Sequence, residues 1–405
     1  MWNRVQSEDQ YAKSIVTVFF FFALFSIYFQ TATGLIISVA VMLILIGQSL
    51  YLKYSGAGLV FINKKERQYF YKEDTGTFEL EFVNQGLPIL SATVRLQLDP
   101  IVDPIMDEEM KLQRVRYGKT LLEIELPFSI ARNQTMKIKL PFTATKRGLA
   151  RIKKIDIVIP HPFGLGEVTL NLKQIVKRDA VIFPVSRKIT NDLSFSTLKE
   201  GANVQLHSLF EDLLSPIGTR DYEIGDSFKR INWKASARKQ VLQSKMYEKT
   251  SEHSVLLSFN IHEFYSITSS LDEVIEKMAY LARLFYEHQI AYGIAVNLRT
   301  FGPVPFLFIP KGTGRDHLFK VLEALALIDY QMVTTPYEKV QVYLLQNQGT
   351  EIMNWIHFGT AGERHIAVFK RAAQKGVHLF QLCSKNEQLI PFQFNSLERE
   401  APING

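Results

Sequence analysis

The densest run of side chains able to do chemistry lies between Gly218 and Glu248. Arg220, Lys229, Arg230, Lys234, Arg238, Lys239 and Lys245 outnumber Asp221, Glu223, Asp226 and Glu248 there, and Tyr222 and Trp233 sit among them. Guanidinium forks bind carboxylates and stack on aromatic rings, so such a run is good recognition chemistry. The same charges would also serve as internal pins, with Asp226, Glu223 and Glu248 neutralising the cations between two domains. A third use is acid–base work by Arg220, Glu223 and Asp226 in a cleft, where clustered charges shift one another's proton affinity. Gly225-Asp226 reads as a turn, with Asp226 capping a short helix from Ser227. Helical spacing then turns Phe228, Ile231 and Ala235 inward and puts Arg230, Trp233, Lys234, Ala237 and Arg238 on another face.

Other chemistries find less support. Zinc needs closely spaced His, Cys or carboxylate ligands, and the nine histidines are scattered; His262-Glu263 has no second histidine at metalloprotease spacing. There is no nucleophile elbow, no Walker A loop and no G-x-G-x-x-G after a strand. Lys311-Gly312-Thr313-Gly314-Arg315 opens a helix and reads as a loop plus helix start. The single cysteine, Cys383, sits in the apolar run Val377–Cys383 and reads as a core residue. With one cysteine no intrachain disulfide forms, which leans toward a reducing compartment. No metal and no cofactor are expected.

The elements that hold this segment differ along the chain. Between Lys13 and Lys53 there is no charged residue. As one helix that stretch would be about 58 Å long, against a hydrocarbon core of about 30 Å. It reads as two spans, Ser14–Phe29 and Leu35–Leu52, broken at Gln30-Thr31-Ala32-Thr33-Gly34. Arg4 and Lys13 precede the hairpin, and Lys53, Lys64, Lys65 and Arg67 follow it. The positive-inside rule then places both ends in the cytoplasm. A signal peptide cut near Ala32-Thr33-Gly34 is the competing reading, and it too leaves the following part cytoplasmic. The net charge of +7 fits a chain lying near an anionic leaflet as well as it fits nucleic acid.

From Gly58 to Pro184 short apolar/polar alternations dominate: Thr77–Val83, Thr93–Leu98, Met136–Leu140, Lys154–Ile159 and Ala180–Phe183. Period two without helical stretches predicts an immunoglobulin-like β-sandwich. From Ser254 the pattern becomes α/β. Ser254–Phe259, Ala291–Val296, Glu351–Phe358 and Val377–Cys383 are apolar strands; Ser270–His288, Gly314–Ile328 and Glu363–Ala373 have helical spacing. The expected organisation is a membrane anchor over 1–53, a β-sandwich over 54–185, a connector over 186–217, the charged segment over 218–250, an α/β domain over 251–395 and a tail over 396–405.

The charged segment resembles the signature of the bacterial family called domain of unknown function 58. The matching residues are Gly218, Arg220, Tyr222, Gly225, Asp226, Arg230, Ile231, Trp233, Ser236, Ala237, Arg238, Leu242, Lys245, Tyr247 and Glu248. Arg147-Gly148, Pro162-Phe163-Gly164-Leu165 and Val181-Ile182-Phe183-Pro184 resemble the family's β-rich region. The resemblance implies an α/β part similar to a von Willebrand factor A domain, in which a metal site often follows the first strand. Here Ser258, Asn260 and His262 occupy that stretch, and Asn260 stands where an aspartate belongs, so the metal pattern is lost. It also implies a partner, since members are usually encoded beside MoxR-type AAA+ ATPases. The expected function is therefore a non-enzymatic, membrane-anchored interaction or assembly protein acting with such an ATPase, without nucleic acid. The alternatives are an enzyme using Arg220, Glu223 and Asp226, or binding of anionic lipid or nucleic acid through the basic segment.

Overall fold

The computed structural model describes residues 2–8, 10–118, 120–160, 166–189, 216–223, 228, 231–247, 254–263, 266–347, 352–383, 388–392 and 394. The chain divides into two compact units, Met1–Val185 with Leu325–Leu327, and Ser186–Ala324 with Ile328–Gly405.

The first unit opens with a strand, β1 (Trp2–Glu8), then two apolar helices, α1 (Gln10–Tyr28) and α2 (Ala32–Tyr54). By length and composition α2 can cross a membrane, and the apolar part of α1, Ser14–Tyr28, is shorter. The helices turn at Phe29–Thr31, overlapping the break expected at Gln30–Gly34, whose last three residues are already helical. A Cβ on Gly34 would stand 2.5 Å from Ser26 Oγ, so only glycine lets the helices approach there. Ser26 and Ser38 are buried at the same place, and Ser38 Oγ donates to Gly34 O at 2.7 Å.

Eleven further strands and one helix complete this unit. They are β2 (Leu59–Ile62), β3 (Glu66–Phe70), β4 (Thr75–Asn84), β5 (Ile89–Leu98), β6 (Val102–Pro104), α3 (Glu108–Arg114), β7 (Val115–Tyr117) and β8 (Leu122–Ile130). After them come β9 (Gln134–Ala144), β10 (Gly148–Pro160), β11 (Gly166–Leu172) and β12 (Arg178–Ile182). One sheet runs β1-β11-β10-β5-β8-β7, with β12 joining β10 to β3; a second runs β2-β4-β9-β6. Alternation along each strand puts one set of side chains into a shared core: Phe78, Leu80 and Phe82 from β4, Val94, Leu96 and Leu98 from β5, and Ile138, Leu140 and Phe142 from β9. This is the β-rich architecture expected. Two elements were not: α3, whose apolar residues Met110 and Leu112 stand two apart, off helical spacing, and β1, which has only Trp2 and Val5 as apolar residues. β1 pairs antiparallel with β11 over its whole length, from Trp2 opposite Leu172 to Glu8 opposite Gly166.

The second unit begins with a hairpin, β13 (Pro216–Asp221) and β14 (Gln243–Tyr247), enclosing a short helix α4 (Trp233–Lys239). Then follow β15 (Ser254–Phe259), the small pair β16 (His262–Glu263) and β17 (Ser266–Ile267), α5 (Leu271–Glu287), β18 (Ala291–Val296), β19 (Leu307–Gly312) and α6 (Arg315–Leu327). The chain continues with α7 (Tyr337–Asn347), β20 (Asn354–Phe358), α8 (Glu363–Gln374), β21 (His378–Cys383) and β22 (Gln388–Pro391). The main sheet runs β19-β18-β15-β20-β21-β22. Its inner four strands are parallel and its edges antiparallel. All six residues of β15 are buried, as expected for a strand covered on both faces. Because β18 and β20 flank β15 on opposite sides, the strand order reverses at β15, the place where open α/β sheets form a crevice.

Candidate functional site

The family-signature segment is held together by one amide. Gln243 is fully buried, and its Nε2 donates to Asp221 Oδ1 at 2.5 Å while its Oε1 accepts from Lys239 Nζ at 3.2 Å. Its backbone N–H donates to Ser236 Oγ at 2.8 Å, and its carbonyl accepts from Asn232 N at 2.8 Å. Asn232 caps α4, its side chain accepting from Ala235 N at 3.1 Å, and Ser236 Oγ donates back to Asn232 O at 2.8 Å. Gln240 closes the helix in the left-handed region. One face of α4 is thus fixed to both strands of the hairpin, with Ile231 buried beside it.

The opposite face points to solvent. Trp233 is 67% exposed. Lys234, Ala237 and Arg238 follow it at helical spacing and are exposed too. Lys234 and Arg238 have no ion-pair partner among the described residues. Arg220 lies 3.7 Å from Glu223, an exposed pair in water. Tyr222 is half-buried, with its ring 6.0 Å from that of Phe228. Leu242 is exposed, Gly218 lies exposed on β13, Lys245 is half-buried, and Tyr247 ends β14.

One expectation needs correction: Phe228 is 74% exposed rather than inward. Among the described residues α4 starts at Trp233 and is capped by Asn232, after an isolated bridge between Ile231 and Ser244; the start expected at Ser227 lies outside them. Gly225, Asp226, Arg230 and Glu248 lie outside the described residues. Gln243 and Asn232 were missed as site residues, although Asn immediately before a helical run is itself a cap signal.

At the crevice the structure places Asn260, Asn297 and the backbone of Thr360 together. Asn260 Nδ2 donates to Thr360 O at 3.0 Å; Asn260 Oδ1 accepts from Asn297 Nδ2 at 2.8 Å and from His262 N at 3.3 Å. Asn297 Oδ1 accepts from Ile261 N at 2.8 Å. Two neutral amides therefore tie the ends of β15, β18 and β20 together. Among the described residues no three His, Cys, Asp or Glu side chains form a group able to hold a metal ion.

Ser258 belongs to another cluster that the sequence did not announce. Its Oγ is 3.2 Å from His357 Nδ1, accepts from Trp355 Nε1 at 2.6 Å and lies 2.8 Å from the Tyr337 hydroxyl. Geometrically this is a serine beside a histidine. All four side chains are buried, however. Burial pushes the His357 pKa down to about 3, with His365 acting in the same direction and the Thr360 backbone opposing it. An imidazole of so low a proton affinity is a poor general base near neutrality. The cluster is a polar pin between β15, β20 and α7.

A β-sandwich with an apolar helix pair before it, followed by an α/β unit introduced by a pinned hairpin and helix, defines the architectural class. Residues 218–347 match the family described as "Protein of unknown function DUF58". A comparison with curated proteins returns no match. Among solved structures, a non-cellulosomal cohesin from the archaeon Archaeoglobus fulgidus is similar at 8% identity, over 31% of this chain and 88% of that one, with a TM-score of 0.19. The PapD-like domain 7 of human CEP192 is similar at 14% identity, over 31% and 84%, with a TM-score of 0.18. Neither likeness speaks to activity.

Proposed function

We propose that this chain is a membrane-anchored, non-enzymatic docking protein whose two units work on the cytoplasmic side with a MoxR-type AAA+ ATPase. The observation that carries the reading is the division of the family signature. Its buried half fixes α4 from behind, and its outer half displays Trp233 beside Lys234 and Arg238, which have no ion-pair partner among the described residues. Tryptophan and arginine dominate binding energy at protein interfaces, and a rigid helix presents them at small entropic cost. The α/β unit is read as von Willebrand factor A-like, with the asparagine pair in place of a metal.

The anchor reading rests on β1. This strand precedes both apolar helices, yet it completes a sheet with β11, which follows them. A sheet cannot be shared across a bilayer, so the chain between residues 8 and 59 crosses an even number of times. If α2 crosses, α1 crosses back. Its apolar part, Ser14–Tyr28, spans about 22 Å, short of the ~30 Å hydrocarbon core, and crossing there draws on local thinning of the bilayer. The basic residues flanking the pair put both ends in the cytoplasm.

The test is co-purification of the full-length protein from its native membrane with ATP or a non-hydrolysable analogue, comparing wild type with Trp233→Ala. Recovery of a MoxR-type ATPase by wild type, and its loss in the folded variant, is the expected result. Recovery by both returns α4 to a structural role. No ATPase in either, even with crosslinking, overturns the reading.

A further inference from the structure

The last turn of α2 is stitched to the loop between β4 and β5. The Tyr51 hydroxyl donates to Pro88 O at 2.9 Å and accepts from Leu90 N at 3.4 Å. Ser55 bridges Leu87, and Gln85 N donates to Gly58 O at 2.9 Å. The backbones of Gly58 and Gly86 pass so closely that a Cβ on Gly58 would stand 2.3 Å from Gly86 N. The loop is therefore fixed at the level of the helix end. Leu90, at the start of β5, nevertheless faces outward, 76% exposed, with Leu87 of the loop at 38%, while Ile89 between them is buried.

A single exposed leucine says little, because much of any protein surface is apolar. What distinguishes this pair is its surroundings. Tyr54 is exposed at the same helix end with Lys53 Nζ 5.8 Å from its ring centroid, the aromatic and cationic pairing found where helices leave a bilayer. The adjoining turn is bound to the loop by Asn133 N to Asn84 O at 2.7 Å, and it exposes Arg132. Two leucines flanked by Tyr54, Lys53 and Arg132 match a lipid interface, with acyl chains for the former and phosphates for the latter.

We propose that the β4–β5 loop with the start of β5 is a third membrane contact, with Leu87 and Leu90 seated at the boundary of headgroups and acyl chains beside α2. The proposal rests on the anchor reading above. It makes the β-sandwich a body seated on the bilayer rather than one hanging from it.

The experiment uses the full-length chain in phospholipid nanodiscs, with Cys383→Ser removing the native thiol. A fluorescent label is placed through Leu90→Cys, through Phe21→Cys on the exposed side of α1, or through Lys72→Cys. Lys72 lies beyond the far end of β4, whose ten residues span about 33 Å. The nanodiscs carry lipid with a nitroxide high on the acyl chain. Loss of fluorescence at Phe21 and Leu90, with Lys72 unaffected, is the expected result. Loss at Phe21 but not at Leu90 overturns the loop contact and leaves the anchor standing. No loss at Phe21 overturns the anchor itself and the loop contact with it. Loss at all three positions overturns the specific seating of this loop.

Discussion

Single side chains decide what the crevice can and cannot do. Asn260 spends its amide on three neighbours, and its Nδ2 has a carbonyl in front of it. In Asn260→Asp that donor becomes an acceptor facing Thr360 O, with an expected cost of roughly 2–4 kcal/mol by urea unfolding. Added magnesium should leave the melting temperature of that variant unchanged, since Asn297 supplies a neutral amide where a second carboxylate is needed. His357 gives a pH dependence. Its pKa is about 3 in the fold and near 6.5 when unfolded, so the unfolded chain binds the extra proton in between. This site's contribution is unchanged above pH 6.5 and is lost as pH falls toward 3, with a slope approaching ~1.4 kcal/mol per pH unit. Urea midpoints of wild type minus those of His357→Gln isolate that slope; a difference independent of pH would contradict it. An asparagine at position 260, with no carboxylate to hold a metal, was legible in the sequence. Its pairing with Asn297 was not, because the partner follows another strand, β18, thirty-seven residues away.

Elements explain which half of the signature is structural. In Gln243→Ala, the side-chain link from Lys239 on α4 to Asp221 on β13 is lost, at an expected cost of about 1–3 kcal/mol. Trypsin should then cut faster at Arg238 and Lys239. Trp233→Ala, at an exposed position, should change stability by less than about 0.5 kcal/mol and leave that cleavage unchanged. The same cleavage rate in both variants would show that Gln243 is not the pin. Where one face of an element is buried, its sequence announced it: the alternation in β4, β5 and β9 and the apolar run of β15 correspond to observed strands. The short helix was legible in kind, and Asn232, which caps it in the structure, carried a cap signal that went unread. β1 escaped notice because its strand state comes from β11, not from its own alternation.

At the scale of the whole molecule, sidedness follows from connectivity. In a Cys383→Ser background, a membrane-impermeant maleimide applied to intact cells should label Thr31→Cys at the helix turn and leave Ser91→Cys on β5 unlabelled until the cells are opened. Labelling of Ser91→Cys from outside would reverse the orientation. Protection of both would mean that neither helix crosses. Packing of the helix pair sets a further limit: Gly34→Leu should separate α1 from α2, read as a gain in crosslinking between copies at the freed faces.

The pairing of β1 with β11 also orders events during synthesis. Residues 2–8 leave the ribosome about 160 residues ahead of their partners at 166–172. At roughly 5–20 residues per second the first strand waits on the order of ten to thirty seconds while the apolar helices are already entering the bilayer. During that interval its backbone donors and acceptors face water, and its sheet position stands vacant. A bulky fusion placed ahead of Trp2 would act at this moment, slowing closure of the sandwich without touching any residue of the finished core.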